Sequence, residues 1–249
     1  MITRTPSWIV LIAAALLAIG CDRTETSSVP ITTTSPAGTS TVPSSAEAKH
    51  RDNALVRVLH TVPSGNTFDL FAGDLLLFDG LNFKTVTPYR AVDGKRYAFA
   101  LRPAGMTQAK PLSSNTEDLQ DGDFYTAIAM PGDGRGPDLR VVNDHLDAPA
   151  TGKARLRIVH AGTDAGAIDV RAGDASTLFD RVEYQAVSDY RDVTPINGQL
   201  QITSAGQAAS IAATNAHLEA GRFYTLVIVS NASAPSKIEA FLIEDALTP

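Results

Sequence analysis

Beyond about residue 53 the chain breaks into short apolar stretches of roughly four to seven residues, each bounded by turn-forming clusters. The stretches 55–60, 67–71, 75–78, 96–101, 124–130 and 139–142 have the length and the Val, Ile, Phe and Tyr content of strands. Asp93-Gly94, Pro131-Gly132-Asp133-Gly134 and Asn197-Gly198 supply turn chemistry between such runs. No segment after residue 53 keeps a 3.6-residue apolar period for ten residues. The pattern predicts an all-β protein built as a β-sandwich.

The same pattern occurs twice. Arg57-Val58-Leu59-His60 returns as Arg157-Ile158-Val159-His160, and Phe68-Asp69-Leu70 as Ile168-Asp169-Val170. Ala72-Gly73-Asp74 returns as Ala172-Gly173-Asp174, and Phe83 to Arg90 as Tyr184 to Arg191. Leu119, Gly122, Tyr125 and Asp144 are answered by Leu218, Gly221, Tyr224 and Asp245. A spacing that stays near 100 residues across so many positions marks a duplication. The expected organisation is repeat 1 over 53–150 and repeat 2 over 151–249, each an Ig-like, Greek-key β-sandwich. In both, Leu-x-x-Gly-x-x-Tyr just before an apolar strand reads as a tyrosine corner, which makes Gly122, Tyr125, Gly221 and Tyr224 structural residues.

The N-terminus reads differently. Arg4 precedes an apolar run over 8–19 that is too short to span a bilayer as a helix, and the run leads into Cys21, the single cysteine. Leu17-Ala18-Ile19-Gly20-Cys21 resembles the bacterial lipobox, with Ala18 where Leu is usual. That resemblance implies a signal peptide over 1–20, diacylglycerol on Cys21, and a lipid-anchored protein of the cell envelope facing the periplasm or exterior. Asp22 resembles an inner-membrane sorting residue. Residues 21–52 are dominated by Ser, Thr, Pro and Ala and read as a disordered tether with a reach of roughly 30 Å.

Taken as an ordered set, RVLH and RIVH, FDLFAGD and IDVRAGD, FKTVTPYR and YQAVSDYR, and LQDGDFYT and LEAGRFYT resemble the family called domain of unknown function 4397. The resemblance covers most of residues 54–245. It implies tandem β-rich copies in an exported protein, and it brings no catalytic residues with it.

Candidate chemistry is sparse. A net charge of −6, with no basic run, gives no footprint for nucleic acid. His60 and His160 are each followed nine positions later by an aspartate, Asp69 or Asp169, a pairing that suits metal or base chemistry. Strand parity instead places both histidines on the apolar face with Val58 and Ile158, as structural residues, and turns the aspartates outward. Asp121, Asp123, Asp133, Asp138, Asp144 and Asp147 complete no calcium loop and read as a solvated hairpin region. No nucleophile elbow, zinc-protease helix or phosphate loop is present. The expected function is non-enzymatic binding of an envelope protein or glycan, without cofactor or metal. The alternatives are a periplasmic enzyme with a site between the repeats, or a structural spacer. The anchor is directly testable: Cys21→Ser is expected to release the protein from membranes or block its maturation, as membrane fractionation and mass spectrometry of the mature N-terminus would record.

Overall fold

The structure, a computed structural model, describes residues 52–63, 65–134 and 136–245; Cys21, Asp22, the signal peptide and the tether lie outside them. Repeat 1 comprises β1 (Ala54–His60), β2 (Phe68–Ala72), β3 (Leu75–Leu81), β4 (Arg90–Val92), β5 (Arg96–Pro103), β6 (Ser113–Asp118), β7 (Phe124–Pro131) and β8 (Pro137–Asn143). Repeat 2 follows the same order with β9 (Ala154–Ala161), β10 (Ile168–Ala172), β11 (Thr177–Val182), β12 (Arg191–Val193), β13 (Ile196–Ser204), β14 (Ser210–Leu218), β15 (Phe223–Ser230) and β16 (Ile238–Glu244). Among the described residues there is no helix.

Each repeat is a two-sheet sandwich. In repeat 1 the sheet orders are β4-β1-β7-β8 and β3-β2-β5-β6, and in repeat 2 they are β12-β9-β15-β16 and β11-β10-β13-β14. The core of repeat 1 joins Val56 and Val58 of β1 and Ala127 of β7 to Leu70, Phe99 and Leu101 of the other sheet. Repeat 2 repeats this with Leu156, Ile158 and Leu226 against Val170, Leu200 and Ile202.

In one sheet of each repeat the two central strands are buried on both faces. Every position of β1, β7 and β15 is buried, and β9 departs from this only at Arg155. The reason is that β1 and β7 also pack outward, against repeat 2: Leu59, Ile128 and Met130 share a cluster with Val159, Val227 and Val229. Burial on both faces goes with parallel pairing, and the β1–β7 and β9–β15 pairs are parallel. The inner sheets, β4-β1-β7-β8 and β12-β9-β15-β16, thus lie against each other, and the remaining two sheets lie outside.

The outer sheets diverge. At the β2–β3 hairpin of repeat 1, Leu75 and Leu76 are 54% and 41% exposed. Leu76 pairs with Phe71, whereas at the matching place in repeat 2 Thr177 pairs with Arg171. The free edges are capped alike: Arg90 stacks on Phe78 and donates to the Leu77 carbonyl, and Arg191 stacks on Phe179.

Two sequence expectations need correction. Asn197-Gly198 is not a turn, because Gly198 pairs with Ala216 inside β13. Asp144 is not in a solvated hairpin, because it is buried directly after β8. Strands β6 and β14 escape the apolar pattern because one face of each meets solvent and carries Ser, Thr, Asn and charge.

The tyrosines close the sandwich corners. The Tyr125 hydroxyl accepts the Gln120 N–H at 3.0 Å, and the Tyr224 hydroxyl accepts the Glu219 N–H at 3.0 Å. Gly122 and Gly221 both sit at φ 84°, a left-handed conformation that favours glycine. Their N–H groups donate to the carbonyls of Asn53 and Lys153, just ahead of β1 and β9. Removing one hydroxyl strands a backbone donor, so Tyr125→Phe and Tyr224→Phe are each expected to cost on the order of 1–2 kcal/mol in denaturant unfolding. A midpoint equal to that of the parent in both variants would sink the corner assignment.

Candidate functional site at the repeat interface

Strand β1 carries Ala54, Val56 and Val58 toward its own core, so alternation sends Leu55, Arg57 and Leu59 toward repeat 2. Strand β9 does the same with Arg157. Each repeat therefore pushes one arginine into an otherwise apolar interface, and Arg57 and Arg157 are only 4% and 2% exposed.

Each arginine finds its carboxylate in the other copy. Arg57 Nη2 lies 2.5 Å from Asp245 Oδ1, and Arg157 Nη1 lies 2.6 Å from Asp144 Oδ1. The receiving carboxylate is prepared within its own repeat. Asp144 accepts from Tyr89 at 2.7 Å and from Thr126 at 2.8 Å, and Asp245 accepts from Tyr190 and Thr225 at 2.7 Å. The threonine hydroxyl also receives the arginine of its own repeat: Arg57 Nε donates to Thr126 at 3.0 Å and Arg157 Nε to Thr225 at 2.9 Å. Each guanidinium lies over the tyrosine of its own repeat, 4.8 Å from the Tyr89 centroid and 4.7 Å from that of Tyr190.

Burial opposes the charges of Arg57, Arg157 and Asp245, and pairing outweighs it. Burial works against the Arg57 and Arg157 cations, yet the carboxylates, led by Asp245 and Asp144 respectively, hold both guanidinium pKa values above the usual range. Burial would raise Asp245, but Arg57, Arg157 and the Tyr190 and Thr225 hydrogen bonds bring it below the usual carboxylate range. Desolvation, reinforced by the neighbouring carboxylates, pushes Tyr89 and Tyr190 well up, so both remain neutral donors. The groups are mutually satisfied, an arrangement suited to holding two bodies in one register and not to proton transfer.

Around this centre, Leu55, Tyr89 and Phe124 of repeat 1 pack with Phe223 and Tyr190 of repeat 2, and Leu146 of the connecting segment plugs the cluster. Further ties run across it: Lys84 to Glu239 at 2.8 Å, Arg140 to the Gln185 carbonyl at 2.8 Å, and Tyr184 to the Pro131 carbonyl at 2.9 Å. A cleft of about 560 Å³ opens beside Asp144 and Arg157, lined also by Asn143, His145, Arg155, Asp189 and Tyr190.

The histidines sit elsewhere. His60 and His160 are fully buried, and the hydrogen-bonding partners of each ring lie within its own repeat. Asp69 and Asp169 point away from the core, but loops cover them. Asp69 accepts the Gly80 and Gly105 N–H groups, and Asp169 those of Arg181 and Gly206, which hold Asp169 below the usual carboxylate range. Neither aspartate meets the histidine ahead of it. Among the described residues no group of three or more His, Cys, Asp or Glu is placed to hold a metal ion.

Sequence reasoning missed Arg57, Thr126, Tyr89 and their counterparts. The available signal was an arginine at the matching place in both copies, flanked on each side by apolar residues in a strand buried on both faces.

The family model of the domain of unknown function DUF4397 matches residues 54–171 and 172–249. The division between the two matches falls inside β10, whereas strand pairing groups β9 with repeat 2. No curated protein matches the chain. Among solved structures, the Bacillus anthracis TIE protein is 8% identical over 78% of this chain, which spans 44% of that protein, with a TM-score of 0.22. A candidate cell adhesion protein from Bacteroides uniformis is 12% identical over 79% of this chain and 100% of its own length, with a TM-score of 0.23. Likeness at that level fixes nothing about what this chain does.

Asp144→Asn leaves the Arg157 cation buried against a neutral partner. The expected cost is on the order of 3–5 kcal/mol, and adding Arg157→Met should recover much of it, because the orphaned charge is then gone. Urea unfolding of the single and double variants checks both statements. A loss below about 1 kcal/mol for Asp144→Asn would show that the repeats are held by other means.

Proposed function

Because the chain belongs to the DUF4397 family and carries two copies of its domain, we propose that it is a lipid-anchored envelope module that binds a protein or glycan without turning it over. The observation that carries this reading is the reciprocal ion network, which fixes two sandwiches as one rigid head. A rigid head presents loops in a constant arrangement and so lowers the ordering cost of recognition.

The geometry favours one end of that head. The chain enters at Asn53, whose carbonyl accepts the Gly122 N–H, and β1 runs from there to His60, a rise of about 20 Å. The ends of β1 and β7 that lead into the next loops therefore lie away from the point of entry. The repeat 2 turn bearing Tyr184 and Gln185 reaches Pro131 at that same end, together with loops 161–167 and 231–237. With diacylglycerol on Cys21, the tether of roughly 30 Å joins the head at the end opposite these loops and leaves them clear of the attachment point. Asp22 favours the inner membrane, with the head in the periplasm.

Exposed charges at the two ends separate the possibilities. The purified protein is exposed to envelope extract and to an array of envelope glycans. A triple variant, Asp133→Lys with Asp164→Lys and Lys237→Glu, is expected to lose the retained ligand at least tenfold. Asp74→Lys with Asp93→Lys, at the end where the chain enters, should bind as the parent does. Equal binding by both variants would place recognition elsewhere, and a product released from any tested glycan would overturn the non-enzymatic reading.

A further inference from the structure

We propose that His60 and His160 are acid-released latches on loops 61–67 and 161–167, so that mild acidification frees both loops while the sheets hold. Ring geometry carries the inference. His60 Nδ1 accepts the Val62 N–H at 3.2 Å while Nε2 faces the Asn66 carbonyl at 3.4 Å. His160 Nδ1 accepts the Gly162 N–H at 3.3 Å while Nε2 faces the Gly166 carbonyl at 2.8 Å. A carbonyl cannot donate and an N–H cannot accept, so Nε2 carries the hydrogen and Nδ1 is bare. One neutral tautomer satisfies both ends of each loop. A second proton has a single place to go, Nδ1, where it meets a backbone N–H head on. Protonation thus breaks the bond that starts the loop and leaves a cation in a site with no exposure.

Little around the rings would stabilise that cation. Loop 61–67 carries no titratable side chain. Phe68 of β2 stacks on His60 at 4.8 Å and offers a cation only the modest attraction of a ring face, β7 offers Ala129, and the Thr85 carbonyl accepts the His60 N–H. Lys84, whose N–H donates to the His60 carbonyl, turns its ammonium to Glu239. Around His160, Ile228 comes from β15 and Tyr184 stands edge-on at 6.0 Å. Glu183 attracts the proton, and Asp164 lies exposed within the loop itself. Burial still dominates and lowers the proton affinity of both rings. Each folded pKa is therefore below the ordinary 6.5. The latch contributes its full stability above about pH 6.5 and loses it as pH falls through the folded value. Each unit of depression multiplies loop opening by up to about tenfold. The two loops belong to the end proposed above for binding, and only that consequence rests on the binding proposal.

Hydrogen exchange on the full-length protein tests the latch, with rates corrected for intrinsic pH dependence. Between pH 7.5 and 5.0 the Val62 and Gly162 amides are expected to lose at least tenfold protection, while Val58 and Ile158 keep theirs. In His60→Asn and His160→Asn an amide oxygen replaces Nδ1 as acceptor without titrating, so the pH response of the affected loop should vanish. Should those variants fail to fold, imidazole nitrogen shifts of the unaltered protein give the answer. They should report a bare Nδ1, a protonated Nε2, and titration below the ordinary histidine value of about 6.5. Protection that does not change with pH, a response that persists in the Asn variants, or titration at or above about 6.5 would overturn the proposal.

Discussion

Four full charges lie between two apolar sheets, and the rest of the architecture follows from having to neutralise them. An unpaired ion there would cost several kcal/mol, more than a marginally stable domain can spare. Neither repeat can meet that cost alone. Within a copy, tyrosine and threonine hydroxyls shape a site around the aspartate, but the cation that fills it comes from the other copy. The partnership is directional as well as attractive. Slipping β1 by one residue within its sheet would turn Arg57 away from Asp245 and into its own sandwich core.

This requirement explains the contrast between sheets. The central strands of the inner sheets are covered on both faces, and the continuous burial of β1, β7 and β15 reflects that. The outer sheets answer only to their own cores and to solvent, so β6 and β14 alternate. A pair of buried ions contributes less net stability than a well-fitted apolar patch of similar volume, but it specifies position far better. The apolar flanks, Leu59 with Val159 and Leu55 with Phe223, contribute the burial, and the ions choose the register.

Much of this was legible in the sequence, to different depths. The duplication, the all-β class and the corner motif could be read because they depend on local chemistry: glycine at a left-handed position, a tyrosine three residues later, and apolar runs of strand length. Gly198 misled because Asn-Gly forms hairpin turns in isolation, and here the pairing of β13 with β14 overrides that local preference. Asp144 misled because its neighbours Asp138 and Asp147 are solvated, and nothing local distinguishes a carboxylate that will meet an arginine from another copy. The interface itself was written into RVLH and RIVH as runs without alternation. Reading it required asking what could cover the second face of a strand whose first face already had a core.

The swapped pairing also carries a history. Residue i of one copy meets residue j of the other and j meets i, which is the defining relation of an isologous homodimer interface. Joining two such protomers by the short stretch between Asn143 and Ala154 turns a bimolecular association into an intramolecular one. Effective concentrations for short connections reach the millimolar range. Assembly then no longer depends on how much protein the cell makes. Nor must the two protomers remain identical, since each mutation now falls on one copy alone. The exposed leucines at one outer hairpin and the Ser176 and Thr177 at the other are what such freedom leaves behind: a symmetric joint carrying two faces able to specialise separately.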